Sequence, residues 1–280
     1  MSLIDEIHEQ PQAIRKLLNS QGEAIATIAG QVRARGIEYI YLAARGTSKN
    51  AGRYAQYLIG AVNRIPIALA PPSLFSIYHL PPLLKNALVI GVSQSGRSPD
   101  IISVIEEARR QGVVSLAVTN NPVSPMADAA EFILDISCGP EVAVAATKTY
   151  TNSLAALALF SAELAENAEM KRALENVPAW MEEMLGREDE IAQQAASFHA
   201  MNHCVVLGRG YNYATVNEWS LKMKELSGVM AEPYSSADFL HGPIAMVKGD
   251  FPVLNVAPSG IAYPPLYELL RRLREERRAE

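Results

Sequence analysis

Cysteine is scarce: Cys138 and Cys204 are the two in 280 residues. Both stand beside apolar, strand-like runs, so buried free thiols are expected rather than a disulfide or a metal site. Long apolar runs are missing as well. The longest, residues 154–160, is bounded by Ser153 and Ser161 and falls well short of the roughly 20 residues a membrane span needs. The N-terminus carries Asp5, Glu6 and Glu9 and lacks the apolar segment of a signal peptide, so the expected setting is cytoplasmic, with no membrane partner. There is no excess of positive charge: 25 Lys and Arg stand against 30 Asp and Glu, a net charge of −5. That balance argues against nucleic acid as the main partner. The basic cluster Arg271, Arg272, Arg274, Arg277 and Arg278 is interleaved with Glu268, Glu275 and Glu276 and reads as a solvated helix face. Neither GxxxxGK[ST] nor GxGxxG occurs, which removes ATP and NAD as expected cofactors. His8, His79, His199 and His203 show no ligand spacing, so no metal is expected either.

What the chain does contain is a repeat. Shifted by 164 positions, Arg45 and Gly46 fall on Arg209 and Gly210, and Phe75 falls on Phe239. Val89 and Val92 fall on Val253 and Val256, and Ser95 and Gly96 on Ser259 and Gly260. A constant register over residues 45–96 and 209–260 points to two copies of one α/β unit. With 49% hydrophobic and 20% charged residues, the chain reads as globular and long enough for two cores. Apolar strands bounded by Gly and Ser are expected near residues 39–43, 66–70, 88–92, 114–118 and 132–136, with a further strand at 203–207 opening the second copy. Such uninterrupted apolar strands describe buried parallel sheets with helices on both faces, a three-layer α/β/α arrangement. The expected organisation is a helical arm over 1–24, broken at Pro11, and a first domain over 25–165. Linker helices over 166–199 then lead to a second domain over 200–280, incomplete at its C-terminus because residue 280 precedes the repeat of the later strands.

Two places could carry chemistry. The strand at 88–92 runs into Ser93, Gln94, Ser95, Gly96, Arg97 and Ser98, and a helix follows. Hydroxyls, backbone N–H groups and the positive end of a helix dipole together suit a phosphate dianion. A similar turn, Arg45, Gly46, Thr47 and Ser48, ends the first strand. Ser95 or Ser98 could equally be a plain helix cap. In the second copy Glu218, Lys222 and Glu225 share one helix face, at i, i+4 and i+7. The spacing alone favours a surface ion-pair ladder, while the same face could hold a proton-transferring carboxylate beside a cation. His241 stands in a Gly/Pro turn, where catalysis and capping remain equally open.

Taken together, these stretches resemble the sugar isomerase (SIS) family, and more closely its tandem members related to the isomerase domain of glucosamine-6-phosphate synthase. The resemblance spans nearly the whole chain. It rests on GTS at 46–48, SQSGRSPD at 93–100, PEVAVAATKTYT at 140–151, GRG at 208–210, LKMKE at 221–225 and HGP at 241–243. It implies two flavodoxin-like units, a homodimer with a shared active site, and no cofactor. It also implies a sugar 6-phosphate held by Thr47, Ser48, Ser93, Gln94, Ser95 and Ser98, beside Gly46 and Ala146. Glu225 is then implied as the base that moves a proton between C1 and C2. His241 is implied as the ring-opening residue, often donated by the neighbouring subunit, and Lys222 as its helper. The chain departs from the synthases in having no glutaminase domain ahead of Met1, Arg97 at an acidic position, and Ala44 and Ala146 in place of Cys and Ser. It also lacks the tail whose lysine closes over the sugar. The missing glutaminase domain and Arg97 point to an aminosugar-phosphate isomerase that releases ammonia, as do the retained Glu225, Lys222 and His241, while the missing tail favours the alternative, a non-catalytic phosphosugar-binding module.

Overall fold

The computed structural model describes residues 2–279, which fall into two compact units, Met1–Arg187 and Glu188–Glu280. The first opens with α1 (Leu3–His8) and α2 (Gln10–Ala34), followed by β1 (Tyr39–Ala44), α3 (Gly46–Val62), β2 (Ile67–Leu69) and α4 (Ser73–Ser76). Next come β3 (Ala87–Val92), α5 (Pro99–Arg110), β4 (Val114–Thr119), α6 (Pro125–Ala129) and β5 (Phe132–Asp135). Helices α7 (Lys148–Leu164), α8 (Ala168–Leu174) and α9 (Val177–Leu185) close the unit.

Its five strands are all parallel, in the order β2-β1-β3-β4-β5, the flavodoxin-like order. Side chains alternate between the faces of a strand, and the core divides accordingly. Ile40, Leu42, Leu88 and Ile90 meet α2, α3 and α7 through Leu17, Ile28, Ala55 and Phe160. Tyr41, Ala43 and Val89 meet α4, α5 and α6 through Phe75, Ile101, Ile105 and Met126. Helix α5 shows how local signals agree with this packing. Pro99 sits where its missing N–H costs nothing, Asp100 faces the positive helix end, and Arg109 and Arg110 sit in the last turn.

The N-terminal segment differs from the expected arm. Pro11 falls in the first turn of α2, a position proline favours, so it starts the helix instead of breaking it. From there α2 runs unbroken past residue 24 to Ala34 and buries Ile14, Leu17, Ile25, Ile28 and Val32 in the first core. Helices α8 and α9 also pack on that core, through Leu174, Val177 and Met181.

The second unit comprises α10 (Glu188–Ala195), β6 (His203–Gly208), α11 (Asn212–Ser227), β7 (Met230–Ser235), α12 (Ser236–Phe239), β8 (Val253–Asn255) and α13 (Tyr263–Arg277). Its parallel sheet has the order β7-β6-β8. This is the first unit's β2-β1-β3 repeated: β6 lies 164 residues after β1 at both ends, and α13 starts 164 residues after α5. The repeat in sequence is therefore a repeat in structure.

Both cysteines are buried and free. Burial raises the Cys138 thiol to about 12 and the Cys204 thiol to about 11, which leaves little thiolate at pH 8. Mass spectrometry after iodoacetamide treatment is expected to find both unmodified in the native protein and both alkylated after denaturation. Alkylation of either in the native state would contradict the packing around it.

Candidate functional site

In the first unit the chain passes from β1 outward to β2 and then returns to place β3 on the other side of β1. The β1–β3 boundary is thus the topological switch point, the place where open α/β sheets bind ligands at their strand ends. The register pairs Ala44 with Val92, so the turns that follow leave side by side. After β1, Arg45 is extended and Gly46 takes φ +51°, which puts Thr47 and Ser48 in the first turn of α3. That helix start carries no side-chain cap.

After β3 the loop is braced from within and from behind. The Ser93 Oγ accepts from the Gly96 N–H at 3.2 Å, and the Ser95 Oγ from the Arg97 N–H at 3.3 Å. The Gln94 carbonyl accepts from the Asn120 N–H and the Thr119 hydroxyl, and the Gly96 carbonyl from the Met126 N–H. Ser98 occupies the N-cap position of α5 but makes no capping bond with its side chain. Its hydroxyl is therefore not spent on the helix as a plain cap would be.

A crevice of about 120 Å³ lies where the two turns meet, lined by Arg45, Thr47, Ser48, Gln94, Ala146 and Thr149 among others. Of the residues expected to hold a ligand, the structure brings Thr47, Ser48, Gln94 and Ala146 to the lining of this crevice, with Ser93, Ser95 and Ser98 on the loop that carries Gln94. Sequence reasoning missed a further bridge made by Arg45, one of the crevice's lining residues. Arg45 donates to Asp100 Oδ2 through Nε at 3.0 Å and through Nη2 at 2.5 Å, and the Ser76 hydroxyl donates to Oδ1 at 2.6 Å. The Ser76 hydroxyl and the Arg45 guanidinium hold the Asp100 carboxyl below its usual range. One carboxylate thereby ties the β1 turn to the start of α5.

The second unit repeats the strand order around this crevice but keeps few of its hydroxyl residues. At the 164-residue offset, Thr47 and Ser48 become Tyr211 and Asn212. Ser93, Gln94 and Ser98 become Ala257, Pro258 and Ala262, and of the serines Ser95 alone persists, as Ser259. What the second unit carries instead lies at the far end of α11. Lys222 Nζ is 3.3 Å from Glu218 Oε1 and 2.6 Å from Glu225 Oε2, so the three residues do share one face. The Glu218 side chain is buried and that of Glu225 about one-third exposed. Glu225 stands in the last turn before Gly228, whose φ of +69° ends the helix. At 1.5 Å per residue, that is about 20 Å from the turn that follows β6. His241 lies on an exposed turn after α12, its backbone N–H bonded to the Asp238 carbonyl at 3.0 Å.

Among the described residues no group of three or more His, Cys, Asp or Glu could hold a metal ion, and no helix is long and apolar enough to cross a membrane.

Known proteins share this architecture. A glutamine–fructose-6-phosphate aminotransferase [isomerizing] from Gloeobacter violaceus is 36% identical over 275 residues, which cover 93% of this chain and 45% of that protein. The chain thus spans less than half the length of the curated relatives it matches. A proposed phosphosugar isomerase from Silicibacter pomeroyi DSS-3 superposes with a TM-score of 0.91 at 35% identity, covering 97% of this chain and 83% of that one. The C-terminal domain of glucosamine-fructose-6-phosphate aminotransferase from Francisella tularensis gives 0.89 at 27% identity, covering 99% and 81%. The SIS domain model matches residues 35–162 and again 197–276. With both of its structural repeats matched in this way, the chain belongs to the SIS domain family.

Proposed function

We propose that the protein is a phosphosugar isomerase acting on an aminosugar 6-phosphate, taking glucosamine 6-phosphate and water to fructose 6-phosphate and ammonia. The observation that carries this reading is the crevice at the first switch point, where two hydroxyl-bearing turns converge on helix starts. Such a place favours a dianion through backbone N–H groups and helix dipoles. The aminosugar is suggested by the Gloeobacter relative, whose name joins amino transfer to isomerisation of a hexose 6-phosphate.

In this reading Thr47, Ser48, Ser93, Gln94, Ser95 and Ser98 hold the phosphate, with Gly46 allowing the backbone to approach and Ala146 lining the sugar. Glu225 carries a proton between C1 and C2 through an enediol or enolamine. Lys222 supplies positive charge beside the developing oxyanion, and His241 assists ring opening. No redox change occurs: the amine leaves as ammonia when water hydrolyses the imine formed at C2. We also propose that the protein acts as a homodimer.

The test is an assay that offers glucosamine 6-phosphate and follows fructose 6-phosphate and ammonia together. Equimolar release of both is expected. The Ser93→Ala, Ser95→Ala double variant is expected to raise KM at least tenfold; an unchanged KM would remove the phosphate assignment. Saturable binding by calorimetry without product would instead favour a phosphosugar-binding module, a reading to which the closed Glu218–Lys222–Glu225 ladder also lends itself.

A further inference from the structure

Three carboxylates organise the segment between β5 and α7, and two of them come from the other end of the first unit. Glu6, on α1, is fully buried. Its Oε1 accepts the Val142 N–H at 2.5 Å, and the Ala143 N–H lies 3.3 Å from Oε1 and 3.2 Å from Oε2. Glu9, at the start of α2, meets the ammonium of Lys148, a side chain only 1% exposed. The third, Glu141, lies within the segment. Its Oε1 accepts the Thr147 and Thr149 N–H groups at 2.8 and 3.1 Å, and its Oε2 accepts the Thr149 hydroxyl.

Among the described residues, segment 140–146 makes no backbone–backbone hydrogen bond. Its tip is apolar and open to solvent, with Val144 98% exposed and Val142 71% exposed. Hydrophobic burial therefore does not place this tip, and Glu6 does. Ala146, near the far end of the same segment, lines the switch-point crevice, as do Thr149 and Tyr150 in the first turn of α7. A fully desolvated carboxylate is costly unless its oxygens are occupied, so Glu6 and the two amides hold each other to one arrangement.

We propose that Glu6 is a positioning residue for the crevice. Its buried carboxylate, working with the Glu9–Lys148 pair, fixes the 140–147 segment, and so sets how tightly the crevice takes the sugar part of a phosphosugar. This rests on the reading of the crevice as a phosphosugar site. Glu6 touches no reacting atom, so its role is in affinity and not in proton transfer.

The experiment compares the full chain with E6Q, and with E6D, which keeps the charge but shortens the reach by one methylene. The readouts are KM and kcat on glucosamine 6-phosphate, affinity for inorganic phosphate, and hydrogen exchange of the backbone amides. The expected result for E6Q is a KM raised about tenfold with kcat and inorganic phosphate affinity within about threefold. The Val142 and Ala143 amides are expected to exchange at least tenfold faster while those of β1, β3 and α7 keep their protection. E6D is expected to fall between wild type and E6Q, and it serves as the test if E6Q does not fold. An unchanged KM in these variants, on a wild type that turns the sugar over, overturns this inference alone. Equal loss of protection across the whole unit also overturns it, because Glu6 would then support the fold at large. A wild type that neither binds nor converts the sugar phosphate overturns the reading of the crevice and this inference with it.

Discussion

Gly96→Ala is expected to cost the first unit about 2–4 kcal/mol of stability and to weaken phosphosugar binding by at least tenfold. Two separate penalties add at this position. Gly96 has φ +64°, a left-handed conformation that costs an L-residue about 1–2 kcal/mol. A Cβ built there would also lie 2.1 Å from the Ser124 Oγ and 2.6 Å from its Cβ, distances no real contact reaches. Ser124 cannot easily retreat, since it is buried and caps α6 by accepting from the Ala127 N–H. The loop must move instead, and with it Ser93 and Ser95. Gly46 gives the control: its φ of +51° is similar, but nothing lies within 4 Å of a Cβ. Gly46→Ala should therefore show the backbone penalty alone, about 1–2 kcal/mol. Thermal denaturation and calorimetry on both variants check this. Equal effects at the two glycines would mean that Ser124 yields and the loop is softer than described.

Glu225→Gln is expected to lower kcat by about 10²–10⁴, the usual worth of a placed acid–base group, while binding of the sugar phosphate stays within about threefold. The amide keeps the size and the hydrogen-bonding reach of the carboxylate but cannot take up a proton. Little else should change. Glu225 is one-third exposed, and its pair with Lys222 is an i, i+3 helix pair, a class worth only a few tenths of a kcal/mol. Lys222 also retains Glu218. A KM rise with full kcat would assign Glu225 to binding, and full activity would leave the ion-pair ladder as its role.

The sequence carried much of this architecture because the signals were local or periodic. An apolar run such as 87–92, bounded by Asn86 and Ser93, admits few alternatives to a buried strand, and the 164-residue repeat marked a second unit before either was seen. The turns at 45–48 and 93–98 were visible because a helix start after a strand has a signature of its own. The failures share one physical cause, which is distance along the chain. Pro11 looked like a break because its neighbours alone do not tell a helix start from a kink; the burial of Ile14 and Leu17 against α7 decides it. Glu6 and Glu9 carried no structural reading in the sequence, because their partners, Val142, Ala143 and Lys148, lie more than 130 residues away. The Glu218, Lys222, Glu225 face is the intermediate case. Its spacing was legible, and the geometry agrees with it, but an ion-pair ladder and an acid–base pair look alike until a substrate is present.

The packing of α2 on α7 also bears on how the chain is made. Asn152 of α7 donates its amide to the carbonyls of Ala13 and Ile136, joining an early helix to one that is synthesised well over a hundred residues later. At translation rates of about 5–20 residues per second, about 7–28 seconds separate the synthesis of Ala13 and Asn152. Throughout that interval the apolar stripe of α2 lacks the part of its native cover that α7 supplies. A nascent chain halted before residue 148 should accordingly present a helix that chaperones bind, and release from them should coincide with the emergence of α7.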